Sequence, residues 1–218
     1  MHPRYTLHIG TKSFSSWSLR PWLAMKHAGL SFTEDMIALR MPDTKQRIAL
    51  VSPSGKVPAL TIEEDGRAQT IWDSLAICET IAERHPEALL WPHDPAARAE
   101  ARSLAAEMHA GFPDVRKNLS MDIGKILPTP ELDEATSAQV ARLIALWESA
   151  LKRYGGEFLC GSFSIADCFY APVVTRFETY SVALPPASEA YAARIQALPS
   201  MREWRQAALA ETRPAAPV

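Results

Sequence analysis

The stretch LHIGTKSFSSWSLRPWLAM, residues 7–25, carries the change of pattern that decides the fold. Its beginning belongs to YTLHI (5–9), a short strand with β-branched and aromatic content. Its end places Leu19, Trp22, Leu23 and Lys26 at helical spacing, up to Gly29, a residue suited to the position just past a helix. Between the two stand Ser15, Ser16 and Ser18, with no acidic residue near them and Arg20 directly behind. Hydroxyls at such a point cap a helix or serve an anionic ligand, and the residues alone admit both. Ser18 is the better cap, because that start puts Pro21 at the third helical position, where no N–H bond is lost. Ser15 is then free to donate.

Working outward, FTEDMIAL (32–39) reads as a second strand and DTKQRIAL (43–50) as a short helix or turn. SPSGKVPALTI (52–62) is a strand entered through a proline. RAQTIW (67–72) follows the EEDG turn as its hairpin partner, and SLAICETIAERH (74–85) is an amphipathic helix. The order β-α-β-α-β-β-α predicts a small mixed sheet with helices on both faces, its fourth strand antiparallel because a short turn cannot make a parallel crossover. HPEALLWPHDP (85–95) then carries three prolines in eleven residues and reads as a linker. Beyond it, residues 96–118 and 132–154 are long helix candidates separated by MDIGKILPTPEL. A further helix starts at Ser164, and shorter ones cover 187–197 and 200–211. The expected organisation is an α/β domain over 1–85, a linker over 86–95 and an all-α domain over 96–218.

With 218 residues, 47% of them hydrophobic, the chain can bury a substantial core without disulfides or structural metal. A net charge of -2, with no basic tail, argues against nucleic acid or an anionic membrane as principal partner. The opening MHPRYTLHIG lacks the apolar core of a signal peptide, and no apolar run reaches the ~20 residues that span a bilayer. Cys78, Cys160 and Cys168 form no CxxC pair and read as reduced, mostly buried thiols of a cytoplasmic protein. The six histidines are scattered singly, so no metal is expected.

Three motifs carry the chemistry. In SPSGKVPALTI, a cis bond between Val57 and Pro58 would turn the Val57 N–H and C=O outward to pair with a peptide-like ligand; an ordinary edge-strand proline is the plainer reading. In IWDSLAI, Asp73 or Ser74 caps the following helix, whose free N–H groups favour an anion. In GSFSIAD (161–167), Ser164 and Asp167 make the S-x-x-D capping box with Phe163 as the preceding apolar residue, a folding signal rather than a site.

SFSSWSLR, SPSGKVPAL, DSLAICETIAE and GSFSIADC stand in the order, and near the spacing, of the glutathione transferase superfamily, which the whole chain resembles. The resemblance implies a thioredoxin-like N-terminal domain, a proline-containing linker and an all-helical C-terminal domain. It implies that the Val57–Pro58 bond is cis, that Val57 grips the cysteinyl part of glutathione, and that Asp73 and Ser74 hold its γ-glutamyl end. The serine cluster looks most like the zeta class, whose motif runs S-S-C-x-x-R. Ser15 and Ser16 align with its serines and Arg20 with its arginine, and Ser15 would be the thiol-activating hydroxyl with Ser16 in reserve. Trp17 falls where that class has cysteine, a departure that counts against cis-trans isomerase activity on maleyl-type substrates and would reshape the pocket. Arg40, Lys45 and Lys56 lie around the connection that borders the glycine end, with solvated surface charge as their plainer reading. The electrophile pocket would lie between the domains, lined by Trp17, Met108, Phe112 and Arg116, although Met108 and Phe112 read equally as packing residues.

The function implied is conjugation of glutathione, as co-substrate, to a small hydrophobic electrophile. Glutathione-dependent isomerisation of the maleylacetoacetate or maleylpyruvate type is the first alternative, and glutathione binding without catalysis the second. A homodimer is implied by the resemblance alone.

Overall fold

The computed structural model describes residues 3–211, so residues 1–2 and 212–218 of the expected 1–85 and 96–218 ranges lie outside it. The chain runs β1 (Arg4–Gly10), α1 (Ser16–His27), β2 (Thr33–Ile37), α2 (Thr44–Val51), β3 (Ala59–Glu64), β4 (Arg67–Trp72) and α3 (Ser74–Arg84). One 3-10 turn, Pro86–Ala88, leads into α4 (Pro95–Ala110), α5 (Pro113–Asn118), α6 (Glu134–Tyr154), α7 (Ile165–Thr179), α8 (Pro186–Ala197) and α9 (Pro199–Ala210).

The strands order themselves β2-β1-β3-β4, with β1 parallel to β2 and both other pairs antiparallel. This is the mixed sheet that the turn lengths predict. Register sets the geometry of everything that follows: His8 faces Ala59, and Ala59 faces Trp72. The end of β1, the start of β3 and the end of β4 therefore meet at one margin of the sheet.

Helix α1 ends as its sequence suggests. Gly29 takes φ +67, its N–H donates to the Lys26 carbonyl, and the Leu30 N–H donates to that of Met25, the paired bonds of a glycine-terminated helix. Its beginning differs from expectation. The Phe14 and Ser15 N–H groups both donate to the Thr11 carbonyl, so a tight turn starts the helix at Ser16 with Ser15 as its N-cap residue. Pro21 thus sits inside the helix, where its ring removes a backbone bond.

The expected helix over 96–118 is two helices. Pro113 has no N–H to continue α4, and Phe112 takes φ +62 between it and Gly111. The Arg116 Nε then donates to the Gly111 carbonyl at 3.0 Å, closing the α4 terminus.

Helix α7 is the axis of the helical half, buried at every residue except Glu178. It packs on α1, α4 and α8, and a continuous apolar core runs from Tyr5 to Ala208. The capping box forms as the sequence indicates, and its acid does more than cap. Asp167 is fully buried and accepts from the Ser164 N–H (2.8 Å), the Ser164 hydroxyl (3.2 Å), the Leu159 N–H (3.2 Å) and the Tyr191 hydroxyl (3.1 Å). Burial pushes its carboxyl up to about 6 against the opposing pull of those donors.

Asp167→Ala would orphan buried donors from three segments at once, and each unsatisfied group costs about 1–3 kcal/mol. A loss of roughly 3 kcal/mol or more is expected, seen as a fall in thermal midpoint of about 6–12 °C. A drop no larger than that of a simple cap deletion, about 1 kcal/mol, would contradict it.

Candidate active site

At the sheet margin a cavity of about 620 Å³ is lined by four separated pieces of chain: Trp17 from the first turn of α1, Ile48 of α2, Ser54–Pro58 ahead of β3, and Trp72–Ser74 between β4 and α3. The Val57–Pro58 peptide is cis. Asp73 holds φ +76, a conformation unusual for a residue with a side chain, and its Oδ1 accepts from the Leu75 and Ala76 N–H groups at 2.8 and 3.4 Å. Capping and left-handed backbone together aim the start of α3 at the cavity. The adjacent Ser74 Oγ is buried without a hydrogen-bond partner among the described residues, which leaves its one donor and its two lone pairs for an incoming group.

The serines lie just behind this space. Ser18, fully buried, receives the Gly10 N–H at 3.0 Å and the Ser15 hydroxyl at 2.8 Å. It is therefore a tie between β1 and α1 rather than the cap expected of it, and Ser15 is not unengaged as expected. Gly10 stands close to Leu39 and Ser15: a Cβ there would be 2.5 Å from Leu39 Cδ1 and 3.0 Å from Ser15 Oγ, so the Leu39 side chain would have to shift to admit one. Ser16 is held from the helical half by the Arg176 guanidinium, 3.3 Å from its hydroxyl.

Arg20 makes no ion pair among the described residues. Its guanidinium is fully buried, its Nε and both Nη atoms lack hydrogen-bond partners among the described residues, and it lies 4.1 Å from the Trp17 ring centre and 4.6 Å from that of Phe169. Burial first, and Arg116 second, pull its pKa down to about 9. Arg116 rests 4.8 Å from the same Trp17 ring. Arg176 donates to the Leu119 and Arg116 carbonyls at 2.6 and 3.3 Å, and burial followed by Arg116 brings it down to about 10. Two guanidinium groups, Arg20 and Arg116, thus converge on Trp17 and a third, Arg176, on the neighbouring Ser16, with no carboxylate paired to any of them among the described residues.

Of the residues singled out in the sequence, Lys56, Val57, Pro58, Asp73, Ser74 and Trp17 come together on the cavity. Arg40, which stacks on Phe14 at 4.4 Å, and the exposed Lys45 do not line it. Met108 and Phe112 are core residues, 1% and 6% exposed, and do not line this cavity. Arg116 reaches the site through Trp17, and it also donates to the Met108 carbonyl.

His109 escaped the sequence reading. Its Nε2 stands 3.4 Å from Asp73 Oδ2, its ring meets Trp17 edge-on, and burial lowers its pKa. Arg176 escaped as well. Neither lies in a motif, and only folding brings α4 and α7 against α1.

A four-stranded mixed sheet carrying a cis-proline turn, followed by an all-helical half, defines a thioredoxin-like glutathione-transferase architecture. The comparisons agree. A glutathione S-transferase N-terminal domain model matches residues 14–84, and a glutathione S-transferase C-terminal domain model matches residues 130–207. Maleylacetoacetate isomerase of Rattus norvegicus is 30% identical over 181 residues, spanning 80% of this chain and 79% of its own. Among solved structures, a maleylacetoacetate isomerase from Anaeromyxobacter dehalogenans 2CP-1, with bound dicarboxyethyl glutathione and citrate in its active site, aligns at TM-score 0.69 and 26% identity, over 100% of this chain and 96% of its own. A glutathione transferase homologue from a Burkholderia, with bound glutathione, aligns at TM-score 0.70 and 25% identity, over 95% of this chain and 100% of its own. The chain belongs to the glutathione S-transferase family, whose members are enzymes.

An orphaned buried guanidinium is a cost that a site tolerates for function. Arg20→Met, which keeps much of the stem volume, is expected to raise stability by about 1–4 kcal/mol near neutral pH. Because the folded-state pKa of Arg20 is depressed to about 9, the cost is present below that pH and relieved above it. The advantage of the methionine should therefore shrink as chemical denaturation is repeated above pH 9. A variant less stable than the parent at pH 7 would show that the ring contacts outweigh desolvation.

Proposed function

We propose that the cavity binds glutathione and that the start of α1 keeps its sulfur as thiolate for attack on a small electrophile. The observation that carries this is the meeting, around one cavity, of an outward-turned strand entry at Val57, a capped helix start at Asp73–Ser74 and the first turn of α1. An extended tripeptide needs those three things: a backbone to pair with, an end to hold, and a sulfur site between them. In this reading Val57 pairs with the cysteinyl backbone. Asp73 and the unpartnered Ser74 hydroxyl receive the γ-glutamyl end, and Lys56 attends the glycine carboxylate. Arg40 and Lys45 act at most through longer-range charge.

The energetics favour a neutral donor over a general base. A free thiol of pKa ~8.5 is only ~3% ionised at pH 7, and lowering that pKa by about two units would make the fraction roughly 75%. This takes about 2.7 kcal/mol of preference for the anion. A partly buried helix N-terminus supplies up to ~2 kcal/mol and one hydrogen bond to a charged group ~1.5–3. The Ser15 hydroxyl, turning from Ser18 toward sulfur, completes the sum, and Ser18 keeps its bond from Gly10. Ser16, committed to Arg176, remains the second candidate. The thiol proton leaves to solvent, and the sulfur lone pair forms the new bond to carbon. The electron pair of the bond broken there departs with the leaving group or, where a double bond is attacked, passes to the neighbouring carbon, which takes a proton from solvent.

The arginines favour an electrophile that carries negative charge. Arg20, Arg116 and Arg176 form a basic floor beside Trp17 and Ser16, and the isomerase of similar sequence is named for a maleyl dicarboxylate. This supports the isomerase alternative: thiolate addition turns the cis double bond into a single bond, rotation follows, and elimination returns the trans product and the thiolate. Trp17 and Arg116 are then the substrate-side residues. We further propose division into domains at 86–95, a homodimer and a cytoplasmic setting, the last supported by three free, buried cysteines. No described helix is long and apolar enough to cross a membrane.

Ser15→Ala is expected to raise the pKa of bound glutathione by about one unit or more and to lower kcat roughly tenfold at neutral pH, with glutathione affinity little changed. Ultraviolet titration of the bound thiolate reads the first and initial rates the second. An unchanged titration would remove Ser15 from the mechanism. Incubation with glutathione and maleylacetoacetate or maleylpyruvate separates the two reactions: a trans isomer released without net consumption of glutathione marks the isomerase, and a stable adduct marks the transferase.

A further inference from the structure

The turn that delivers Ser15 is gripped from the far end of the chain. Glu211, at the close of α9, accepts the Lys12 N–H on Oε1 at 2.7 Å and the Ser13 N–H on Oε2 at 3.0 Å. In the same place the Trp204 indole N–H donates to the Lys12 carbonyl at 3.0 Å, and the Lys12 ammonium lies 5.1 Å from the Trp204 ring and 2.5 Å from Glu34 Oε2. Two further segments complete the hold. Thr11 Oγ1 accepts the Leu39 N–H at 2.9 Å, and the Ser13 carbonyl accepts the Ile123 N–H at 2.9 Å. One carboxylate, 198 and 199 residues away in sequence, thus satisfies two consecutive backbone donors immediately before the helix start.

We propose that Glu211 is a positioning residue for the sulfur site: it fixes the turn Thr11–Ser15, and through it the first turn of α1 and the hydroxyl that faces the thiolate. This rests on the reading that the start of α1 stabilises bound thiolate. The physical case is geometric. Charge-assisted bonds to a carboxylate are about twice as strong as neutral ones, and a hydroxyl displaced by a fraction of an ångström loses much of its bond to sulfur. The turn is not part of a strand or helix, so its position is set by these separate bonds, all but the one from Ile123 involving a side chain, and not by a backbone ladder. Glu211 touches neither cavity nor ligand, and its effect is confined to where Ser15 and the α1 N–H groups stand.

The test compares the full-length parent with Glu211→Ala, Glu211→Gln and Ser15→Ala, each saturated with glutathione. Thiolate absorbance is titrated across pH, kcat and the glutathione KM are measured, and amide exchange is followed over residues 11–19. Glu211→Ala should raise the bound-thiol pKa by about half a unit, a roughly threefold loss of thiolate below that pKa, with kcat falling in step and the glutathione KM unchanged. Exchange in the turn should quicken. Glu211→Gln, which keeps one acceptor oxygen, should fall between the two. A role in stability alone would lower the thermal midpoint and leave the titration curve where it was, and that result overturns the proposal. Should Glu211→Ala not fold, Glu211→Gln and Trp204→Phe give the same reading.

The Ser15→Ala arm keeps the two ideas apart. If it shifts the pKa and the Glu211 variants do not, the positioning role falls and the serine stands. If the Glu211 variants shift it and Ser15→Ala does not, the role stands and the donor is another group of the same turn.

Discussion

The 3.0 Å bond from the Gly10 N–H to the Ser18 hydroxyl is the joint on which the site depends. It ties the last residue of β1 to the first turn of the first helix, where a side chain at position 10 would press on Leu39 and Ser15. Because β1 lies between β2 and β3, whatever fixes its end also fixes that end relative to the cis-proline turn and to Asp73 across the antiparallel pairs. The helix that starts there runs between the sheet and α7, so its far surface is set by the helical half. Cavity, helix start and arginine cluster are consequences of this one crossing of elements.

The cluster shows where stability and chemistry part company. Arg176 has its donors satisfied by the carbonyls that end α5 and by Ser16, so its burial costs little beyond desolvation. Arg20 has only the faces of Trp17 and Phe169, worth about 0.5–2 kcal/mol each, against the loss of its hydration. A chain selected for stability alone would place an aliphatic residue there. The indole of Trp17, set between cavity and guanidinium groups, decides how much of that charge a ligand meets.

The sheet was legible because strand alternation, turn residues and the proline-entered β3 all point one way, and the register then follows from hairpin length. Asp73 and the Ser164–Asp167 box were legible because each acts on backbone within a few residues of itself. The cis bond at Val57–Pro58, by contrast, was expected from the family resemblance and not from the residues, whose plainer reading was an edge-strand proline. The start of α1 was not. A local criterion, keeping Pro21 in the first turn, favours Ser18 as cap, whereas the bond from Gly10 and the turn on Thr11 move the start to Ser16. The break at Gly111–Pro113 was visible in the letters, but the apolar pattern of residues 96–118 runs through it. His109, Arg176 and Glu211 carry no signal in their own neighbourhoods, since each acts on a residue that folding alone brings near.

The three cysteines, all free and buried, have thiols that burial holds well above their ordinary range, Cys160 pushed up to about 12. Folded protein is accordingly close to silent toward alkylating reagents, which attack the ionised form. In a mixture with bound tripeptide, the ligand's sulfur is the one that such a reagent would meet first. The native chain thereby provides its own blank, and a rise in protein labelling would report unfolding instead of turnover.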